Sequence, residues 1–258
     1  MPTTSISYTD TPLLNLVLRH ADDALILGHR LSEWCGHAPL VEEDIALANI
    51  ALDLIGQARS LFDYAARVEG SGLTEDQFAY RREQHQYRNC LLVEQPNGDF
   101  AATIVRQVLF SAFMDLYWRE MMNSRDETLA AIAAKAEKET AYHLRHSAEW
   151  LIRLGDGTDE SHGRAEAALD ELWAYSDELF EMDEPEPTLL PAGVAPDVSK
   201  LKVHWQKRIE PILREATLKI PNAPWIQTGG RAGRHTEHLG YILADLQYLQ
   251  RAHPEAVW

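Results

Sequence analysis

The chain of 258 residues is short of cysteine: Cys35 and Cys90 are the only two, and no Cys-x-x-Cys pair exists. That argues against a disulfide scaffold and a cysteine-built zinc site, and it fits a reducing cytoplasm. Positive charge is scarce as well, with 24 Lys and Arg against 40 Asp and Glu and a formal net charge of −16. A field of that sign repels a phosphate backbone, so nucleic acid is not an expected partner. No uninterrupted apolar run approaches the roughly 18–20 residues of a membrane span. The opening "MPTTSISYTDTP" has neither the basic nor the apolar region of a secretory signal. A cytoplasmic location without membrane insertion is therefore expected. Period-two alternation is almost missing, which leaves no place for a sheet. There is no GxSxG elbow, no glycine–lysine phosphate loop and no GxGxxG.

What the sequence has is helical periodicity. With 45% apolar and 25% charged residues it can bury a core. Helices are predicted over about 12–35, 40–69, 75–92, 99–123, 126–154, 160–183, 198–218 and 235–252. Their stops are Gly36 with Pro39, Gly70, "QPNG" at 95–98 and "GDGTD" at 155–159. The acidic, proline-rich stretch "DEPEPTLLPAGVAP" at 183–196 and "IPNAPWIQTGGRAGRH" at 220–235 read as loops. With no repeat and no long linker, the simplest organisation is one all-α domain over 1–258, with 1–12 as an N-terminal extension. The predicted helix 40–69 is apolar on more than one face. Leu47, Ile50, Leu54, Ala58 and Leu61 lie on one face, and Ala48, Leu52, Ile55 and Phe62 lie beside them. Such a helix is surrounded by neighbours or by a partner protein.

The stretch "EKETAYHLRHS" at 137–147 raises the question of a metal, because Glu139 and His143 stand one helical turn apart. A di-iron bundle takes one Glu from each of two helices and a Glu-x-x-His pair from each of the other two. No Glu-x-x-His occurs anywhere in the chain, and the one Asp-x-x-His, Asp159 to His162, sits in a polar helix start. The inward stripe of 126–154 runs Leu129, Ile132, Ala136, Thr140, His143, Ser147, Trp150 and Leu154. Thr140 is thus the inward neighbour of His143, with Glu139 about 100° around the helix. Ile104, Gln107, Ser111, Met114 and Trp118 face inward from 99–123, and Val17, Ala21, Ala24, Gly28 and Leu31 from 12–35. Asp23, Asp53 and Asp115 are read as flank or helix-pair residues. One imidazole with a Thr and a Gln cannot neutralise two irons, so His143 is expected to be a hydrogen-bonded core residue.

Two polar clusters remain, "RREQHQYRN" at 81–89 and "TGGRAGRH" at 228–235. Either could receive a phosphate or carboxylate. An ion-pair patch, within the chain or between protomers, is the preferred reading. "WCGHAP" at 34–39 is read as a helix end rather than as a cysteine–histidine nucleophile pair.

Five motifs carry a resemblance: "LSEWCGHAP", "ALANIALDLIGQAR", "LLVEQPNGDFA", "AYHLRHSAEWLIRLGDGTDES" and "TGGRAGRHTEHLGYILADLQYLQRAHPEAVW". In one register from about residue 13 onward, the chain resembles the family of ferritin-like, non-catalytic subunits of bacterial phenylacetyl-CoA epoxidases. The resemblance implies a ferritin-like four-helix bundle with additional helices. It also implies a structural role, without catalytic residues or metal, beside a paralogous subunit that holds the di-iron site. The complex would epoxidise the ring of phenylacetyl-CoA using dioxygen and an NADPH-linked reductase. Set against the catalytic paralogue's ligand pattern, Ala24, Leu54, Gln57, Ser111, Thr140 and His143 occupy the six ligand positions, and only His143 keeps a ligand type. The family further implies contacts to the acyl-CoA, carried over here to Gln86, Tyr87, Arg88 and Asn89 and to Pro187, Thr188 and Leu189. The rival readings are an autonomous di-iron oxidase or iron store, and a metal-free acyl-CoA-binding module.

Overall fold

The computed structural model describes residues 5–222, 225–254 and 256. Of the expected N-terminal extension, 1–4 lie outside the described part, as do 223–224 of the loop 220–235. Ten α-helices follow in order: α1 Pro12–Ser32, α2 Val41–Glu69, α3 Glu75–Tyr80, α4 Leu91–Glu94 and α5 Phe100–Met121, then α6 Glu127–Gly155, α7 Asp159–Leu172, α8 Glu186–Leu189, α9 Val198–Glu215 and α10 Glu237–Ala252. No strand occurs among the described residues.

The long helices begin where short-range chemistry says they should. Thr11 accepts from the Leu14 amide ahead of Pro12, and Asp99 and Asp126 accept from Ala102 and Leu129 at the starts of α5 and α6. Each satisfies an amide that the first helical turn leaves without a partner. Gly70 ends α2 in the left-handed region at φ 77°. α1 lies along α2, α5 along α6, and α2 against α6, with α7 and α9 laid on α5. This is a ferritin-like bundle of four long helices with added helices. The small-residue stripe of α1 permits its close approach to α2. A Cβ on Gly28 would stand 3.1 Å from Ile55 Cγ1 and 3.3 Å from the Ala51 carbonyl oxygen.

α5 and α2 are each long and apolar enough to cross a membrane, but the fold treats them differently. In the most apolar 18-residue window, 83% of α5 is buried against 44% of α2. α5 is thus a central helix. α2 buries Leu47, Ile50, Leu54, Ala58 and Leu61 and turns Val41, Ile45 and Leu52 outward, Leu52 at 66% exposure.

Three expectations need correction. The predicted helix 75–92 is broken into α3, a 3-10 turn at Gln84–Gln86 and α4. The cause lies on α1: Asp22 accepts from the Arg88 amide at 2.8 Å and Asp23 from the Cys90 amide at 2.8 Å, diverting N–H groups a continuous helix would have used. The predicted helix 160–183 stops at Leu172 and continues in 3-10 turns to Phe180. There the Glu178 carboxylate turns inward to accept from the Leu91 amide at 2.6 Å and the Gly229 amide at 2.9 Å. The proline-rich stretch expected as loop contains α8, whose Glu186 is buried against Arg19 of α1 at 2.7 Å.

Candidate functional site

All six ligand-position residues face inward, as the stripes required: Ala24 on α1, Leu54 and Gln57 on α2, Ser111 on α5, Thr140 and His143 on α6 are buried. The hydrogen bonds around them close on the protein itself. Gln57 Nε2 donates to Glu139 Oε2 at 2.9 Å, and Ser111 Oγ accepts from Gln107 Nε2 at 2.8 Å. His143, 1% exposed, sets Nε2 at 3.0 Å from Asp53 Oδ2, which assigns the proton to that nitrogen. One turn on, His146 Nε2 lies 2.8 Å from Glu43 Oε2. Three side-chain pairs therefore lace α2 to α6.

The donor set does not fit two irons. Ala24 and Leu54 carry no ligating atom, Gln57 and Ser111 carry no charge, and the one imidazole is engaged by Asp53. Glu139 and Asp53 each stand at the bundle flank, with side chains 18% and 37% exposed. Among the described residues no three of His, Cys, Asp and Glu are grouped to hold a metal. Asp115, read as a helix-pair residue, is one: it binds Arg119 at 3.1 Å on its own helix and Arg208 on α9.

Asp23, read as a flank or helix-pair residue, does not lie at the flank. It is completely buried and paired with Arg231 Nη2 at 2.8 Å. Burial pushes its carboxyl up, while Arg231 and the Cys90 amide pull the other way. Beside it, Asp22 holds both terminal nitrogens of Arg82, and neither residue is exposed to solvent. Arg82 of the cluster at 81–89 and Arg231 of the cluster at 228–235 are thereby engaged in buried ion pairs within the chain. Arg231 also donates to the carbonyls of Arg19 at 3.3 Å and Arg88 at 3.0 Å. His235 bridges Glu94 Oε2 at 2.9 Å and the Tyr87 carbonyl at 3.0 Å. Gly230 lets this loop press onto the 89–91 backbone, because a Cβ there would collide with the Asn89 carbonyl oxygen.

The acyl-CoA candidates fall on either side of this cluster. Tyr87 and Asn89 are fully buried: Tyr87 Oη donates to the Ala79 carbonyl at 2.6 Å, and Asn89 Nδ2 to Glu94 Oε2 at 3.0 Å. Gln86 and Arg88 are half-buried. Gln86 ties down Ile6, and Arg88 donates to the His85 carbonyl at 2.8 Å. These four residues form a 3-10 turn and the extended stretch after it, not the helix end the sequence suggested. On α8, Pro187 and Thr188 are exposed and Leu189 leans on the core.

Sequence reasoning passed over Arg19, Asp22 and Glu178 as anchors. A signal existed: "RHADD" at 19–23 interrupts a helix otherwise apolar on every side. A run of that kind inside a buried helix requires buried partners of opposite charge, and the two arginine-rich clusters supply them.

A family model described as phenylacetic acid catabolic protein matches residues 1–258. In Escherichia coli strain K12, the component of 1,2-phenylacetyl-CoA epoxidase that bears the letter C among its subunits is 49% identical over 241 residues, covering 93% of this chain and 97% of that protein. The chain belongs to the phenylacetic acid catabolic protein family.

Proposed function

We propose that this chain is the structural subunit of a multicomponent monooxygenase that epoxidises the aromatic ring of phenylacetyl-CoA in the cytoplasm, with the iron held by a paralogous helical partner. The observation that carries the reading is the donor set: in a chain 49% identical to one of the epoxidase's subunits, the six ligand positions on α1, α2, α5 and α6 offer no carboxylate. The work left to such a chain is mechanical. Its bundle stays closed by the Asp53–His143 and Glu43–His146 pairs rather than by a metal. The outward apolar face of α2 supports a protein partner, because a run of exposed Val41, Ile45 and Leu52 is unfavourable in water. Free Cys35 and Cys90 suit a reducing compartment. Electrons for the complex would come from an NADPH-linked reductase.

A supporting role toward the acyl-CoA belongs to the same reading. Pro187 and Thr188 on α8, with the half-buried Gln86 and Arg88, are the candidate residues that keep solvent access. The rival autonomous oxidase is disfavoured by Ala24 and Leu54 standing where ligands would be needed.

Two measurements test the proposal. Co-expressed with the paralogous iron-holding partner, the chain is expected to co-purify with it. Purified alone, it is expected to hold no stoichiometric iron. About two irons per chain would overturn the reading, and so would failure of the two chains to associate.

A further inference from the structure

Beside the Arg231–Asp23 pair, side chains of three helices converge and leave polar atoms without a protein partner among the described residues. These atoms are Arg19 Nε and both ring nitrogens of His20 on α1, the Tyr117 hydroxyl and Trp118 Nε1 on α5, and Glu186 Oε2 on α8. None of the five residues is more than 4% exposed. They are neighbours: the His20 ring centroid lies 4.1 Å from that of Tyr117 and 5.9 Å from that of Trp118, and Arg19 Nη1 holds the other Glu186 oxygen at 2.7 Å. His20 Nδ1 also faces Asp23 Oδ2 across 3.8 Å, too far for a direct hydrogen bond and a separation that a bridging water suits.

The chemistry of the open valences selects the ligand. Both arginines are already engaged by carboxylates, Arg19 by Glu186 and by Asp183 at 3.1 Å and Arg231 by Asp23. Burial, helped by Arg231 and Arg19, drives the His20 pKa well below its ordinary value, so that ring is neutral. No positive charge is left free to hold an anion. Trp118 Nε1 and Arg19 Nε can only donate, Glu186 Oε2 can only accept, and the Tyr117 hydroxyl and neutral His20 do both. A metal would need acceptors alone and an anion donors alone. A molecule that both donates and accepts is required, and water takes about two to four such partners in protein interiors.

We propose that the space bounded by Arg19, His20, Tyr117, Trp118 and Glu186 is a binding site for a small cluster of ordered water molecules that joins α1, α5 and α8. The cluster completes the hydrogen bonding of Glu186 and so fixes α8, the segment that presents Pro187 and Thr188 to solvent. The inference does not depend on the function proposed for the chain.

Oxygen-17 relaxation dispersion of water in a solution of the full chain reads the long-lived internal waters. Tyr117→Phe, which deletes only the hydroxyl, is expected to lower the dispersion amplitude by the share of at least one water while leaving the circular dichroism unchanged. Trp118→Phe serves in the same way should Tyr117→Phe not fold. A crystal structure at high resolution is expected to place density about 3 Å from Tyr117 Oη and Glu186 Oε2. An unchanged amplitude in a folded variant overturns the proposal. So does a map in which these atoms bond directly to one another with no density between them.

Discussion

At the α1 end of the bundle Asp22, Asp23, Arg82, Arg231 and Glu178 are buried, charged and mutually paired, whereas midway along α2 and α6 the inward positions Leu54, Gln57, Thr140 and His143 carry no carboxylate at all. Both regions are polar and both lie inside the same fold. In the first, charge does long-range structural work. Asp22 and Asp23 fasten α1 to the turn at 84–90 and to the loop at 229–233, segments remote in sequence. In the second, the inward side chains carry no carboxylate, and the Gln57–Glu139, Asp53–His143 and Glu43–His146 pairs cross from α2 to α6. Buried charge in these two regions therefore stands where a partner of opposite sign meets it.

The comparison is broken most directly at Asp22. Asp22→Ala leaves the Arg82 guanidinium buried without its carboxylate, a change expected to cost about 3–5 kcal/mol. Urea unfolding checks this, and a loss under about 1 kcal/mol would show that the pair does not anchor α1. His20 sharpens the same region through pH. Its folded pKa is depressed by burial, so below about pH 6.5 the unfolded chain takes up a proton that the folded chain refuses. Stability is present above that pH and falls on acidification by up to about 1.4 kcal/mol per pH unit. His20→Leu should remove this slope. The difference between the two stability curves cancels the contributions of Asp23, Glu178 and Glu186, whose carboxyls are shifted the opposite way by burial.

Effects on the α2–α6 side are expected to be smaller. His143→Gln trades one hydrogen bond with Asp53 for another and should lower stability by about 1 kcal/mol while leaving turnover of an assembled complex nearly intact. A fall of about 10³-fold would assign His143 a role in the chemistry. Leu52→Lys, on the outward face, should change the stability of the isolated chain by no more than about 0.5 kcal/mol. Co-purification with the paralogous partner is nevertheless expected to drop. Undiminished association would place the interface elsewhere on the surface.

Much of the bundle could be read from residue spacing. Helix starts near 12, 99 and 126 were legible from periodicity, and Thr11, Asp99 and Asp126 cap them. Of the stripe from Leu129 to Leu154 on α6, Leu129, Ala136, Thr140, His143 and Ser147 are buried while Ile132, Trp150 and Leu154 are half-buried. The same stripe demoted Glu139 to the flank, where it now meets Gln57 and Lys135. The break within 75–92 could not be read this way. Residues 84–92 have ordinary helical character, and what stops them is a pair of carboxylates on α1. The inward turn of Glu178 and the placement of Glu186 under Arg19 were hidden for the same reason.

Helix, cap and buried face follow from neighbours within a turn or two, because the hydrogen bonds and side-chain rows that decide them span only three or four residues. The sequence by itself therefore determined an all-α chain with four long helices, whose inward stripes carry one imidazole, His143, and no carboxylate. Whether an arginine or a glutamate lies in solvent or at the centre of the protein is decided by a partner far away in the chain, as Asp22 decides for Arg82 and Asp23 for Arg231. Burying a charge is costly until that partner arrives, so only the tertiary structure decided where 75–92 bends, where 160–183 ends and which loop packs on the middle of α1.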